Sequence, residues 1–210
     1  MNEQHEPQEN LQVFTATGVE LDRYVPALAD LRIRVFREFP YLYDGDADYE
    51  ARYLQTYRDA EGSVVVVVTD GERIVGASTA LPMAEETDEV KAPFVAHGYD
   101  PSRIFYLGES VLLPDYRGRG LGVRFFEERE RHARALSEQQ GLQFDWYAFC
   151  AVQRSDDDPR RPADHVPLDR FWTKRGYRRH PELTTTFSWQ ELGDTDETAK
   201  PMVFWLKPAD

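Results

Sequence analysis

Residues Ser63 to Leu81 constrain this chain more than any other stretch. Two runs, SVVVVVT and RIVGASTAL, flank Asp70-Gly71, a dipeptide that accepts the positive φ angles of a tight turn, and so predict an antiparallel hairpin. A strand with one wet face alternates apolar and polar residues, but Val64 to Val68 are apolar without interruption. Such a strand belongs inside a sheet, with other elements packed above and below it.

The remaining elements must supply that cover. Leu11–Ala16 alternates and predicts a first strand. Val19, Leu21, Val25, Leu28, Leu31, Val35, Phe36 and Phe39 recur three or four residues apart and predict a helix ended by Pro40. A shorter helix is expected around Tyr49–Tyr57. After the hairpin, Pro82–Arg103 reads as a loop with a short helix, Ile104–Leu113 as a strand, Gly120–Gln140 as an amphipathic helix stopped by Gly141, and Phe144–Val152 as a strand. On the long helix Leu121, Phe125, Phe126, Ala133 and Leu136 share one side and Glu127, Glu130, Arg131 and Arg134 the other. Arg129 and His132 fall on the apolar side, where snorkelling against the sheet would accommodate them. The polar segment QRSDDDPRRPADHVP then leads to a helix at Leu168–Arg175 and strands around Thr184–Glu191 and Met202–Leu206. Helices interleaved with a mixed sheet define an α/β (α+β) fold. Residues 1–10 read as a disordered tail and 11–210 as a single domain.

Charge narrows the partners. Lys plus Arg number 25 and Asp plus Glu 38, so 25 − 38 gives a net charge of −13, which disfavours nucleic acid because a phosphate backbone demands a basic footprint. No apolar run approaches the roughly twenty residues of a membrane helix, and the acidic N-terminus lacks the apolar core of a signal peptide. The only cysteine, Cys150, can form no internal disulfide, so a cytoplasmic address is expected. Cys150 lies in an apolar strand and reads as core rather than nucleophile. The histidines show no metal-ligand spacing and Asp156–Asp158 lack the alternation of a calcium loop, so no metal is expected.

The chemistry concentrates between Leu112 and Arg124. A strand runs through Arg117-Gly118-Arg119-Gly120-Leu121-Gly122 straight into a helix. Glycines let a ligand approach the backbone, and the first helical turn offers unpaired N–H groups and the positive end of its dipole, which together suit a phosphate. No Gly-Lys-Ser/Thr follows, so this is not a Walker loop, and the spacing is not that of a dinucleotide fingerprint. The bland alternative is a glycine turn that merely joins strand to helix.

With its strand, its RxxGxG spacing and its following helix, this segment resembles the pyrophosphate-binding motif of the GNAT superfamily of acyl-CoA-dependent N-acyltransferases. FWTKRGY at Phe171–Tyr177 is similar to that family's late helix and its Gly-aromatic end. The resemblance implies a mostly antiparallel twisted sheet of about seven strands flanked by helices. It also implies acetyl-CoA as co-substrate, with the main chain of Gly118, Arg119, Gly120, Leu121 and Gly122 around the pyrophosphate, Arg117 and Arg119 beside it, and the main chain of Leu112 and Leu113 along the pantetheine arm. Glu109, three residues before Leu112, takes the place of an acid that acts as base through water, although an acid paired with an arginine would look the same. Where the family carries a tyrosine acid, this chain has Trp172, whose indole only donates. Tyr147 or Tyr177 could replace it, and Tyr177 also suits the packing position. The family's asparagine is missing too, with Gln153 the nearest amide.

The acceptor segment implied by the fold is Pro40–Asp46, where Tyr41, Tyr43 and Asp44 would suit a cationic amine, small or peptidic. The rival readings are an acyl-CoA-binding sensor without turnover and a module whose glycine turn binds nothing. Monomer and homodimer both remain open at this stage.

Overall fold

The computed structural model describes residues 10–209, so all of the expected tail but Asn10 lies outside the described residues. Seven strands form one sheet: β1 (Leu11–Ala16), β2 (Val64–Asp70), β3 (Arg73–Pro82), β4 (Ile104–Leu112), β5 (Trp146–Val152), β6 (Arg178–Gln190) and β7 (Glu197–Pro208). Their order is β1-β2-β3-β4-β5-β7-β6, and every neighbouring pair is antiparallel except β4 with β5. The mixed, mostly antiparallel sheet expected from the sequence is what forms.

The hairpin turns at Gly71-Glu72, with Gly71 at φ 59° and Asp70 opposite Arg73. Val64 to Val68 are wholly buried, each worth about 2 kcal/mol of transfer free energy. Helices α1 (Val25–Phe36), α2 (Ala47–Asp59) and α3 (Asp88–Ala96) cover one face of the sheet, and α4 (Leu121–Gln140) and α5 (Asp169–Lys174) the other. Among the described residues no helix is long and apolar enough to cross a membrane, and no cluster of ligating side chains suits a metal.

Three elements differ from the sequence expectation. The helix expected over Val19–Phe39 is broken into a 3-10 turn at Gly18–Arg23 and α1, because Pro26 fits only the first turn, where its missing N–H is not needed. The last two strands are longer than expected. Pro181, which would interrupt a central strand, sits in β6 at the sheet edge, beside an irregularity between His180 and Thr184.

The feature that shapes the centre is a bulge in β4. Thr79 pairs with Glu109 and Leu81 with Tyr106, so Leu107 and Gly108 together oppose Ala80. A Cβ on Gly108 would lie 2.2 Å from the Tyr57 hydroxyl and 2.7 Å from Thr79 Oγ1, so only glycine lets α2 approach. The broken ladder frees carbonyls, and Arg129 of α4 fills the gap. Its guanidinium donates to the carbonyls of Glu109 (3.0 Å), Thr79 (3.3 Å) and Phe125 (3.1 Å). Arg129 is therefore buried at its charged end and does not snorkel; burial lowers its pKa to about 10. Glu130 also departs from the expected solvent side, accepting from Tyr177 (2.9 Å) and Lys207 (2.7 Å).

Arg129→Met should cost at least about 2 kcal/mol, because buried carbonyls lose their donors, read as a lowered urea midpoint. Gly108→Ala should destabilise by about 1–3 kcal/mol through overpacking, and adding Tyr57→Phe should recover part of that loss in a double-mutant cycle.

Candidate active site

Strands β4 and β5 touch only briefly. Ile104–Tyr106 pair with Trp146–Ala148, and beyond that point β4 follows β3 to Leu112 while β5 follows β7 to Val152. Past the bulge the two parallel strands splay, leaving a V-shaped gap in the middle of the sheet. One bank is Glu109–Leu112 and the other Cys150–Val152.

The open end of the gap meets the glycine turn. Gly118 and Gly120 adopt φ 77° and 82°, and a side chain on either would point into open space. Gly120 is the N-cap of α4. The first intrahelical bond runs from Arg124 N to the Gly120 carbonyl (3.1 Å), so the N–H groups of Leu121, Gly122 and Val123 have no acceptor within the helix. Gly122 has a different reason to be glycine: a Cβ there would lie 3.3 Å from the Phe171 ring of α5. Arg117 donates to the Leu112 carbonyl (3.1 Å) and pairs with Glu38 (2.9 Å), while Arg119 donates to the Asp115 carbonyl (2.7 Å). Leu113 donates its N–H to Val75 (2.9 Å) and its side chain is buried. Turn, helix end and strand edge thus form one continuous wall that can take an elongated ligand with a phosphate at one end.

The face of the gap under α1 and α2 is polar. Glu109 points there and is paired with Arg32 of α1, which is paired in turn with Glu50 of α2. The Arg32 guanidinium lies 3.9 Å from the Tyr53 ring centre. The Glu109 N–H donates to Thr79 Oγ1 (3.2 Å), and the Tyr53 and Tyr57 hydroxyls are 2.9 Å apart. Burial pushes the Tyr53 hydroxyl up to about 12. At the vertex of the V the Tyr106 hydroxyl meets Cys150 Sγ at 3.1 Å, and burial pushes the thiol up to about 12, which disfavours the thiolate that a nucleophile needs.

The far wall is the segment after α1. Trp189 Nε1 (3.0 Å) and Arg154 (3.2 Å) donate to the Tyr41 carbonyl, and Arg154 also donates to Pro40 (2.7 Å). Arg154 and Arg160 both pair with buried Glu191; burial opposes ionisation of Glu191, but these two arginines hold its carboxyl below the usual range. Tyr41 packs on Phe36 and Trp189, with ring centres 4.6 and 5.8 Å away, and Tyr43 is half-buried near Glu50, whereas Asp44 is exposed and pairs with Arg37 (3.2 Å).

Tyr147 is not brought to Glu109. It shares the α4 face with Phe105 and is wholly buried. Trp172 lies on that same face against Phe149 and Trp205, and Tyr177 is bound to Glu130. The late helix therefore offers the gap no hydroxyl. Sequence reasoning did not find Arg32, Glu50, Tyr53, Tyr57, Tyr106 or Arg154. Arg32 carried a signal: four residues after Leu28, it stands on the apolar stripe of α1.

A model of the acetyltransferase (GNAT) family matches residues 27–145, more than half of the chain. The chain belongs to the GNAT acetyltransferase family. Solved structures support the fold. Ribosomal-protein-alanine N-acetyltransferase from Brucella melitensis is 16% identical at a TM-score of 0.58, covering 94% of this chain and 99% of that one. A GNAT-family acetyltransferase from Streptococcus pneumoniae is 14% identical at 0.57, covering 95% and 99%. The yncA protein of Salmonella typhimurium, solved with its cofactor acetyl-CoA, is 10% identical at 0.57, covering 95% and 94%. Among curated proteins no match is found. In this GNAT chain, Arg32→Met would leave two buried carboxylates without their cation, and a loss of about 3–5 kcal/mol is expected in chemical denaturation.

Proposed function

We propose that this chain is an N-acetyltransferase that moves an acetyl group from acetyl-CoA to the amine of a small or peptide acceptor, by direct attack in a ternary complex. The observation that carries this reading is the β4–β5 splay opening directly onto the glycine turn and the uncapped end of α4. On this reading the N–H groups of Gly120, Leu121 and Gly122, with the main chain of Gly118 and Arg119, hold the pyrophosphate. Arg117 and Arg119 flank it, and Leu112 and Leu113 line the pantetheine arm. Acetyl-CoA, when bound, supplies the thioester.

The acceptor enters from the α1/α2 face, where Tyr41 and Tyr43 form part of its pocket and Asp44 stands at the rim. An alkyl amine is protonated at neutral pH and must lose a proton before it attacks. The Glu109 carboxylate lies on the right bank, but it already serves as the partner of Arg32. Its role here is to hold Arg32 and the strand edge in place. The thiolate leaves without a tyrosine from the late helix.

At a hundredfold excess over its dissociation constant, acetyl-CoA should stabilise the protein by about 2.7 kcal/mol. For a chain of this size that is a rise of several degrees in Tm by scanning calorimetry. No shift at millimolar acetyl-CoA would remove the cofactor from the reading. An acceptor panel followed by thiol release should then give turnover; binding without turnover on any amine would favour an acyl-CoA sensor.

A further inference from the structure

On the α1/α2 face, contacts run around the gap from one bank to the other. Glu109 on the β4 bank pairs with Arg32, whose guanidinium lies 5.2 Å from the Phe36 ring centre, and Phe36 packs on Tyr41 at 4.6 Å. Arg154 completes the circuit. It stands just beyond Val152, the end of β5, where the Gln153 N–H still reaches the Pro201 carbonyl of β7 (2.8 Å). From that fixed base its guanidinium donates to the carbonyls of Pro40 (2.7 Å) and Tyr41 (3.2 Å) and pairs with Glu191.

The segment held in this way is strained. Tyr41 and Leu42 both donate their N–H groups to the Glu38 carbonyl (3.1 and 3.0 Å), and at the sheet edge Asp44 donates to Gln190 (2.9 Å) and Leu192 to Leu42 (2.8 Å). Between these bonds Leu42 sits at φ 53°, a left-handed conformation that is unfavourable for a residue with a side chain and persists only where its surroundings impose it. The two carbonyls immediately before it take their hydrogen bonds from side chains, Arg154 on both and Trp189 Nε1 on Tyr41 (3.0 Å). The polar segment after β5 touches the wall a second time, where the His165 and Phe39 rings meet nearly at right angles with centres 4.7 Å apart.

We infer that Arg154 is a positioning residue for the acceptor: its guanidinium fixes the Pro40–Tyr41 main chain and with it the shape of the pocket wall, so that residues 153–167 help to set which amine is taken. Tyr41 and Tyr43 form part of that pocket on the acyl-transfer reading above, on which this role rests. A planar guanidinium donates to two carbonyls and a carboxylate at once, whereas an ammonium on a flexible stem keeps the charge opposite Glu191 but not the fixed directions. Lysine would therefore serve if Arg154 only fastened its own segment to Glu191. Arg32 and Phe36 separate Tyr41 from Glu109, so the wall meets the body of the acceptor and not the reacting atoms. Contacts of that kind bind ground state and transition state alike, and their loss appears in KM and not in kcat.

The test compares the parent with Arg154→Lys, in which Glu191 keeps Arg160 and a second cation, so that the fold is retained even if Arg154→Met fails to fold. Hydrogen exchange followed by NMR should show the amides of Tyr41 to Asp44 exchanging about tenfold faster in Arg154→Lys, with Val65 to Val67 of β2 unchanged. Turnover is then measured with acetyl-CoA and n-butylamine, 2-phenylethylamine or an alanyl dipeptide. In Arg154→Lys the KM of the preferred amine should rise about tenfold, the preference among the three should narrow, and kcat and the Tm shift with acetyl-CoA should be kept. Parent-like exchange at Tyr41 to Asp44, a parent-like KM, or an equal loss for all three amines overturns the role of Arg154 and leaves acyl transfer standing. If the parent acetylates none of the amines, the acyl-transfer reading fails and the role of Arg154 fails with it.

Discussion

The bulge at Leu107-Gly108 is the constraint on which the rest depends. An uninterrupted β4 would keep its pairing with β5, and the sheet would have no gap. The bulge breaks the ladder against β3 and turns the strand, but it leaves buried carbonyls that need donors. Arg129 supplies them from one face, and Tyr57 and Thr79 pack against the missing side chain of Gly108 from the other. A fully buried guanidinium is costly unless its hydrogen bonds are made. Here carbonyls take the place of a counter-ion, so the arginine braces the site without bringing an acid into it.

The same economy of charge governs the two faces of the gap. On the side of α4, arginines and helix N–H groups surround a glycine turn, producing a locally positive end in a chain of net charge −13. On the side of α1 and α2, Glu109 and Glu50 share Arg32, and Glu191 is held by Arg154 and Arg160. The pairs Arg32–Glu109 and Arg154–Glu191 also bind separate elements together, α1 to β4 and the polar segment after β5 to the far end of β6. The long insertion before α5 thereby becomes a wall of the pocket, since Arg154 holds the Tyr41 segment by its carbonyls.

Local signals were legible wherever one element decided the outcome. Val64–Val68 announced a strand covered on both faces, and Arg117–Gly122 announced the turn and the helix start to within one residue. Where two elements compete, the sequence misled. The periodicity of Val19–Phe39 ran through Pro26, whose ring confines it to a first turn. Glu130 looked solvated on a helical wheel, because a wheel cannot show that Tyr177 and Lys207 arrive from another part of the chain. Tyr147 was plausible as an acid by its nearness in sequence to β5 chemistry, yet strand parity sends it to the face opposite Glu109.

By itself, then, the sequence determined the kind of sheet, the glycine turn and the family resemblance, since these rest on periodicity and on residues next to each other in the chain. Only the tertiary structure decided which charges are spent on each other. Glu109 and Arg32 are 77 positions apart (109 − 32), and Glu191 meets Arg154 across an intervening helix and strand. Ion pairing depends on distance in space and on the loss of water around the pair, and neither quantity is written in the order of residues. For that reason Glu109 stood out in the sequence, whereas its tie to Arg32 emerged only when the chain was folded.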